Sequence, residues 1–359
     1  MSSPVKRYGF INAKLRARIG SMISDEKAEM LLRSGSLEEF LQQLKDTPYA
    51  MLSEEYDKTG DIQHLESLLF AREVELHKEV IHYFDGDHAA LVMALTAKLE
   101  IENLKAVLRL FFSNTVKRQN IDFRFGYLYQ GPIVSKIDWT QIANANNFQE
   151  VLSALQGTPC YETISGFDPE SFEQEGLFYL ETAIDTCWFK HLRQAVLKMP
   201  KQDRRLLTSV LDTDADLKNI INLVRFGWAY RLPSDRLRSI MFDGGSIRQF
   251  KEFEEFLKAE AEQRSPLALI RRRFPKFASQ LTQRQLDSTS NEHLIFEVEH
   301  HLGSLRKKEY RKMLRGDPFT IGTVLAYFFL CGRQDAMIRS MLNGLYYGWS
   351  SEAIREYAL

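Results

Sequence analysis

The chain has 359 residues, 44% of them hydrophobic and 26% charged, with 47 basic residues against 48 acidic ones. That is ample apolar surface for two or three folded cores, and the near-neutral balance excludes a global electrostatic grip on nucleic acid or on an anionic membrane. The three cysteines, Cys160, Cys187 and Cys331, are odd in number and include no CxxC, which argues against a disulfide framework or a structural zinc site and fits a reducing cytosol.

Residues 1–10 carry Pro4, Lys6 and Arg7 without the apolar run and small-residue cleavage site of a secretory signal. The helix predicted from Phe10 to Ile19 mixes an apolar stripe with Lys14, Arg16 and Arg18, and suits docking on a protein or covering its own domain. Long stretches rich in Leu, Glu, Lys, Ala and Arg follow, with only ten prolines in the chain and hardly any strand-like alternation, so the predicted class is all-α. Leu37 to Leu44 reads as a helix leading to Thr47-Pro48-Tyr49, where Thr caps the next helix and Pro takes its first position. His64-Leu65-Glu66 opens a longer helix that the turn Asp85-Gly86-Asp87 ends, and Glu100 to Arg109 lies in the helix after it.

The series then repeats. Phe148 to Leu155 leads to Thr158-Pro159, Tyr179-Leu180-Glu181 opens a long helix, and Asp216 to Arg225 matches Glu100 to Arg109. A weaker third pass runs through Phe253, Phe256 and Leu257, then Asn291 to Leu302, then Thr323 to Leu342, with Gln334, Met337 and Asn343 in the polar slots. Copy starts near Phe10, Phe125 and Ile240 give a period of roughly 115 residues, the size of a small helical domain. The expectation is three similar helical domains in tandem, 1–124, 125–239 and a diverged 240–359, in a pseudo-threefold arrangement. Gly157-Thr158-Pro159, Asp243-Gly244-Gly245 and Gly316-Asp317-Pro318 are turns between helices, and no stretch reads as a flexible linker. The longest apolar run, Ile321 to Cys331, is roughly half of what a bilayer span requires, so no direct span is predicted.

On a helical wheel, Leu104, Val107 and Leu108 coincide with Ile220, Leu223 and Val224 as one apolar face. Glu100 and Asp216 fall on that face and Asn103 and Asn219 at its border, while Glu102, Lys105 and Arg109 gather on a water-facing stripe. A buried carboxylate or amide without a partner costs a few kcal/mol, so these four need backbone groups or an arginine. The repeated polar triads, Glu100, Asn103 and Arg109 with Asp216, Asn219 and Arg225, therefore read as structural rather than catalytic.

No phosphate-loop, dinucleotide, zinc-protease, hydrolase or EF-hand motif is present, and no cofactor site is expected. His77 and His82 are five apart and His300 and His301 adjacent, so neither pair offers two ligands on one helix face. Asp85-Gly86-Asp87-His88 is explained by a turn that ends one helix and caps the next. Cys160 and Cys187 read as small buried residues, being solitary with no paired histidine. Two basic clusters, Arg271, Arg272 and Arg273 with Lys276, and Arg306, Lys307 and Lys308 with Arg311, Lys312 and Arg315, read as solvated helix faces or as contacts for acidic partners, phosphates or lipid headgroups.

The opening Tyr8 to Ala17, the motifs Asn103 to Arg109 and Asn219 to Arg225, and the tail from Ala326-Tyr327 through Arg339, Gly344 to Gly348 and Glu352 to Arg355 together resemble the C subunit of the bacterial and archaeal V/A-type ATPases, the relative of the d subunit of the eukaryotic vacuolar enzyme. The resemblance covers essentially the whole chain and departs in the third copy, at Met337 and Asn343. It implies a three-lobed, funnel-like, non-catalytic rotor part of the central stalk. Such a part binds no nucleotide and links the central shaft subunits to the membrane rotor ring of proteolipid subunits, coupling ATP hydrolysis or synthesis to H+ or Na+ transport. It also implies a peripheral place on the cytoplasmic side of the membrane; as a basic cluster, Arg271, Arg272 and Arg273 are the candidate contacts for one of the two partners. The competing reading is a helical adaptor or scaffold of another complex.

Overall fold

The computed structural model describes residues 3–115, 118, 122–170, 172, 176–279 and 291–358, and among these it is all-helical, with no strand. The chain forms two compact units, one of residues 1–155 with 313–359 and one of residues 156–312. The first opens with α1 (Pro4–Gly20), α2 (Asp25–Leu32), α3 (Leu37–Gln43), α4 (Ala50–Thr59), α5 (Ile62–Ile81), α6 (Gly86–Thr115), α7 (Asp122–Phe125), α8 (Trp139–Ala143) and α9 (Phe148–Leu155). The second holds α10 (Tyr161–Ser165), α11 (Phe178–Leu197), α12 (Lys201–Asn222), α13 (Ser234–Ser239), α14 (Lys251–Lys258), α15 (Leu267–Arg273), α16 (Pro275–Ala278) and most of α17 (Asn291–Arg315). The chain then adds α18 (Gly322–Tyr346) and α19 (Ser351–Ala358) to the first unit.

Short polar side chains start several of these helices by accepting an otherwise unpaired backbone N–H: Ser24 from Lys27, Ser36 from Glu39, Asp61 from Gln63 and Asp138 from Gln141. The two Thr-Pro signals act differently from the cap expected of them. Thr47 Oγ1 accepts from Tyr49 N and donates to Leu44 O, so Thr and Pro shape the turn and α4 begins only at Ala50. In the second copy α10 begins at Tyr161, again two residues beyond the proline. Gly86, Gly157, Gly244 and Gly245 all have positive φ, which places left-handed backbone at three of the four turn clusters.

In the first unit α18 packs along α5 and α1, and α19 folds back on α18. Their contact buries Leu65 and Leu69 of α5 with Ile338, Met341 and Leu342 of α18, closed over by Leu31, Phe40, Leu44 and Leu52. Each such side chain contributes about 1.5–3 kcal/mol of apolar burial. The second unit gathers Ile220, Leu223 and Val224 with Leu237, Phe253, Phe256, Leu269 and Val298. There α12 runs on into a wider π-type turn, Leu223–Ala229, and a Cβ on Gly227 would stand 2.7 Å from Phe256 Cε1. Lys105, expected on the water-facing stripe of α6, is only 6% exposed and pairs with Glu102 at 3.1 Å, because α6 is packed on that side as well.

Gly344 of α18 lies against α19, and a Cβ there would overlap Ile354 Cγ1. Glycine to alanine inside a helix ordinarily adds about 0.5–1 kcal/mol of stability. Here the sign reverses: Gly344→Ala lowers the unfolding temperature, and Ile354→Ala in the same chain recovers part of the loss. Thermal unfolding of the two single variants and the double variant checks this, and additive effects would count against the contact.

Candidate functional site

The first two long motif helices, α6 and α12, each hold the segment that follows them through a carboxylate and an amide one turn apart. On α6, Glu100 Oε2 accepts from Val134 N at 2.9 Å and Ser135 N at 2.5 Å, and Oε1 from the Ser135 hydroxyl at 2.8 Å. Asn103 Nδ2 donates to Tyr129 O at 3.0 Å. On α12, Asp216 Oδ1 accepts from Ser246 N at 2.7 Å and Ile247 N at 2.9 Å, and Oδ2 from the Ser246 hydroxyl at 3.0 Å. Asn219 binds both sides of one peptide residue, donating to Phe242 O at 3.1 Å and accepting from Phe242 N at 2.8 Å. A carboxylate cradled by two successive N–H groups and a serine hydroxyl thus occurs in each unit, on residues of matching sequence position.

The second clamp is the tighter. Asp216 is 1% exposed and also accepts from Arg273 Nε at 2.6 Å, while Gly245 leaves no room for a Cβ beside Asp216 Oδ1. The arginines of the two triads do not join the clamps. Arg225 pairs with Glu299 at 2.5 Å, and exposed Arg109 lines a cavity of about 550 Å3 with Asn103, Glu66, Glu102, Arg124 and Arg339.

Of the basic run on α15, Arg272 pairs with Glu252 at 2.8 Å and lies over the Phe250 ring, Arg273 belongs to the Asp216 clamp, and Arg271 is exposed. In the other basic cluster, Arg306 is tied to Asp214 at 2.7 Å.

The third copy keeps a buried carboxylate, one position beyond the slot expected to hold it. Gln334 donates to Ile23 O at 3.0 Å, while its neighbour Asp335 is 1% exposed, takes the Tyr49 hydroxyl at 2.6 Å and pairs with Arg72 at 3.0 Å. A one-residue step turns the acid by about 100°, so it meets α5 instead of a following loop. The sequence carries the residue, but a repeat register that fixes the slot at Gln334 passes over it. His77, read from sequence as a non-ligand, stacks on Phe328 at 3.5 Å, and burial pushes its imidazole down to about 3. Cys187, expected to be buried and without a paired histidine, is instead partly exposed and lies beside His191, four residues on along α11, with Sγ and Nδ1 3.5 Å apart. No cluster of metal-ligating side chains occurs among the described residues, and no described helix is long and apolar enough to cross a membrane.

Glu73 faces Asp335, with Arg339, Arg72 and Glu102 also acting on it. Burial first, and then the Asp335 charge, push its carboxyl up to about 7. Burial also raises Asp335, against the pull of Arg72 and the Tyr49 hydroxyl. A carboxyl raised in the folded state holds its proton longer than in the unfolded chain, so its contribution is full below the ordinary carboxylate range and is lost as pH climbs to about 7. Denaturant unfolding between those limits is expected to show stability falling with pH, by on the order of 1–3 kcal/mol. Glu73→Gln removes most of that slope, and parallel profiles for the two proteins would rule the account out.

The two amides give a graded prediction. Asn219→Leu strips both hydrogen bonds from a fully buried Phe242 peptide and costs about 2–3 kcal/mol, whereas Asn103→Leu removes the single bond to Tyr129 and costs about 1 kcal/mol. Equilibrium denaturation of the two variants tests the order, and a larger loss for Asn103→Leu contradicts it.

The comparisons with known proteins converge. A family model described as ATP synthase (C/AC39) subunit matches residues 11–357. The C subunit of the A-type ATP synthase of Methanosphaera stadtmanae is 24% identical over 323 residues, which cover 89% of this chain and 79% of that protein. The C subunit of the A-type ATP synthase of Thermococcus kodakarensis is 22% identical over 363 residues, covering 98% of this chain and 90% of that one.

Proposed function

Because the chain belongs to the ATP synthase (C/AC39) subunit family, that of a non-catalytic subunit of the rotary complex, we propose that it is the central-stalk rotor subunit joining the shaft to the membrane ring of proteolipid subunits. It is a socket that couples ATP hydrolysis or synthesis to H+ or Na+ transport. The observation that carries this reading is the family match over residues 11–357, nearly the whole chain. The packing supports it. The buried carboxylates and amides of the motif helices are spent on holding following segments and neighbouring helices, which suits a part that must keep its shape under torque.

On this proposal the three sequence copies, 1–124, 125–239 and 240–359, are three lobes of a funnel-like body with pseudo-threefold order. The protein sits peripherally on the cytoplasmic side. With Arg272 and Arg273 held by Glu252 and Asp216, exposed Arg271 is the member of the basic run available to a partner.

Removal of this protein from the complex is expected to leave ATP hydrolysis running while ion pumping by membrane vesicles collapses, and restoring the full chain restores coupling. Affinity capture of the tagged full chain from detergent-solubilised membranes should recover shaft and ring subunits together. Recovery with neither, or unchanged pumping after removal, would reject the socket and favour an adaptor in another complex.

A further inference from the structure

The second unit carries a grouping that the stalk role does not use. Cys187 lies partly exposed in the middle of α11 and Cys160 is buried just ahead of α10, and α10 packs on α11. The Cys187 sulfur donates to Pro159 O at 3.6 Å, the residue preceding Cys160, so the two cysteines are neighbours across the α10–α11 contact. From its own helix, His191 Nδ1 lies 3.5 Å from that sulfur and 3.0 Å from the Cys187 carbonyl oxygen. A carbonyl can only accept, so Nδ1 carries the proton and the same N–H faces the sulfur.

We propose that Cys160 and Cys187 are a reactive dithiol, with Cys187 the attacking thiolate and Cys160 the resolving thiol, which a peroxide converts to an intramolecular disulfide pinning the Gly157–Cys160 turn to α11.

The groups that act on Cys187 come from both elements that flank it: Cys160 and Thr163 from the α10 side, and His191 from α11. The Cys160 hydrogen bond is the largest influence, and together with Thr163 and His191 it outweighs burial and pulls the Cys187 thiol down to about 5. Thiolate character with partial exposure is what selects a cysteine for oxidation. Cys331 shows the opposite condition: it is buried, and burial pushes its thiol up to about 12.

The chemistry balances in two steps. The Cys187 thiolate attacks one oxygen of hydrogen peroxide, the O–O bond breaks, the departing hydroxide takes a proton to leave as water, and Cys187 becomes a sulfenic acid. The Cys160 sulfur then displaces that hydroxyl, which leaves as a second water with the Cys160 proton as the S–S bond forms. Two thiols lose two electrons and two hydrogens to one peroxide. A dithiol reductant reverses the change by thiol exchange.

The test uses the purified full chain and hydrogen peroxide itself. The wild-type protein should lose two free thiols and two hydrogens in mass while staying a single chain. Peptides cut at Glu162 and Glu181, which lie between the two cysteines, should remain joined until dithiothreitol is added. In Cys160→Ser the reaction should stop at the sulfenic acid, captured on Cys187 by dimedone, and Cys331→Ser should behave as wild type. In the untreated wild-type protein, alkylation of Cys187 by iodoacetamide should already be at its plateau near pH 6.5, and His191→Gln should move its midpoint upward. Links between chains, no dimedone adduct in Cys160→Ser, or alkylation of wild-type Cys187 that rises only through the ordinary thiol range near pH 8.5 would each overturn the proposal. The alkylation profile needs no variant, so it decides even where a substitution disturbs folding.

Discussion

Asp216 is a carboxylate with 1% of its surface exposed, and its place on α12 is tolerable only because the Ser246 and Ile247 N–H groups, the Ser246 hydroxyl and Arg273 all reach it. Leaving such a group unpaired would cost more than several methyl groups of core packing supply. The acid therefore specifies where the following chain must run, since one route brings all four partners to it. That route is a tight one, through Gly244 and Gly245 with positive φ, and it delivers Ile247 to the core and Arg273 to the carboxylate. Asn219, one turn further along α12, fixes the same segment at Phe242. The apolar cluster of the second unit is thus assembled around a polar decision.

The first unit uses the same device with a longer acid. Glu100 reaches Val134 and Ser135, and Asn103 reaches Tyr129, so the residues after α7 are held against α6 much as those after α13 are held against α12. The two clamps differ in strength for a visible reason: only the second has an arginine on its carboxylate and a two-point grip on one residue. In α18 the acid sits one residue later and is answered by Arg72 and Tyr49. A neighbouring helix, not a loop, is what that carboxylate secures. The first two motif helices thus bind segments that follow them in sequence, and the third binds α5 and the residue just ahead of α4, from the other end of the chain.

What was legible from sequence follows from which interactions are local. Helical class, the turn positions at Gly86, Gly157 and Gly244, and the presence of acids and amides on otherwise apolar faces all come from spacing within one helix or one turn. The need of Glu100 and Asp216 for partners was legible too, since burial of a carboxylate carries its own requirement. The partners were not. Val134, Ser246 and Arg273 lie about 30 to 60 residues away, and no local pattern marks a backbone N–H as an acceptor's target. The same limit hid Arg72 with Asp335, more than 260 residues apart. The Thr-Pro pairs show the opposite failure: a local signal was present, but Thr47 used its oxygen within the turn and α4 started later. Cys187 and His191 were within reach of sequence reasoning, since residues four apart share a helix face.

The charges divide into those the fold consumes and those it leaves outside. Asp216, Asp335, Glu100, Arg273, Arg72 and Arg306 all meet a partner within their own unit, the three acids buried and the three arginines half-buried. Long helices joined in this way resist bending because any relative movement would strip a buried carboxylate of its hydrogen bonds, a penalty much steeper than sliding one apolar face over another. Catalysis asks for the reverse arrangement, polar groups converging on space left for a substrate. An architecture that commits its interior charges to shape fits a non-catalytic subunit of a rotary complex. The proposed dithiol between the start of α10 and α11 extends that economy, since its closure would add one more tie within the second unit.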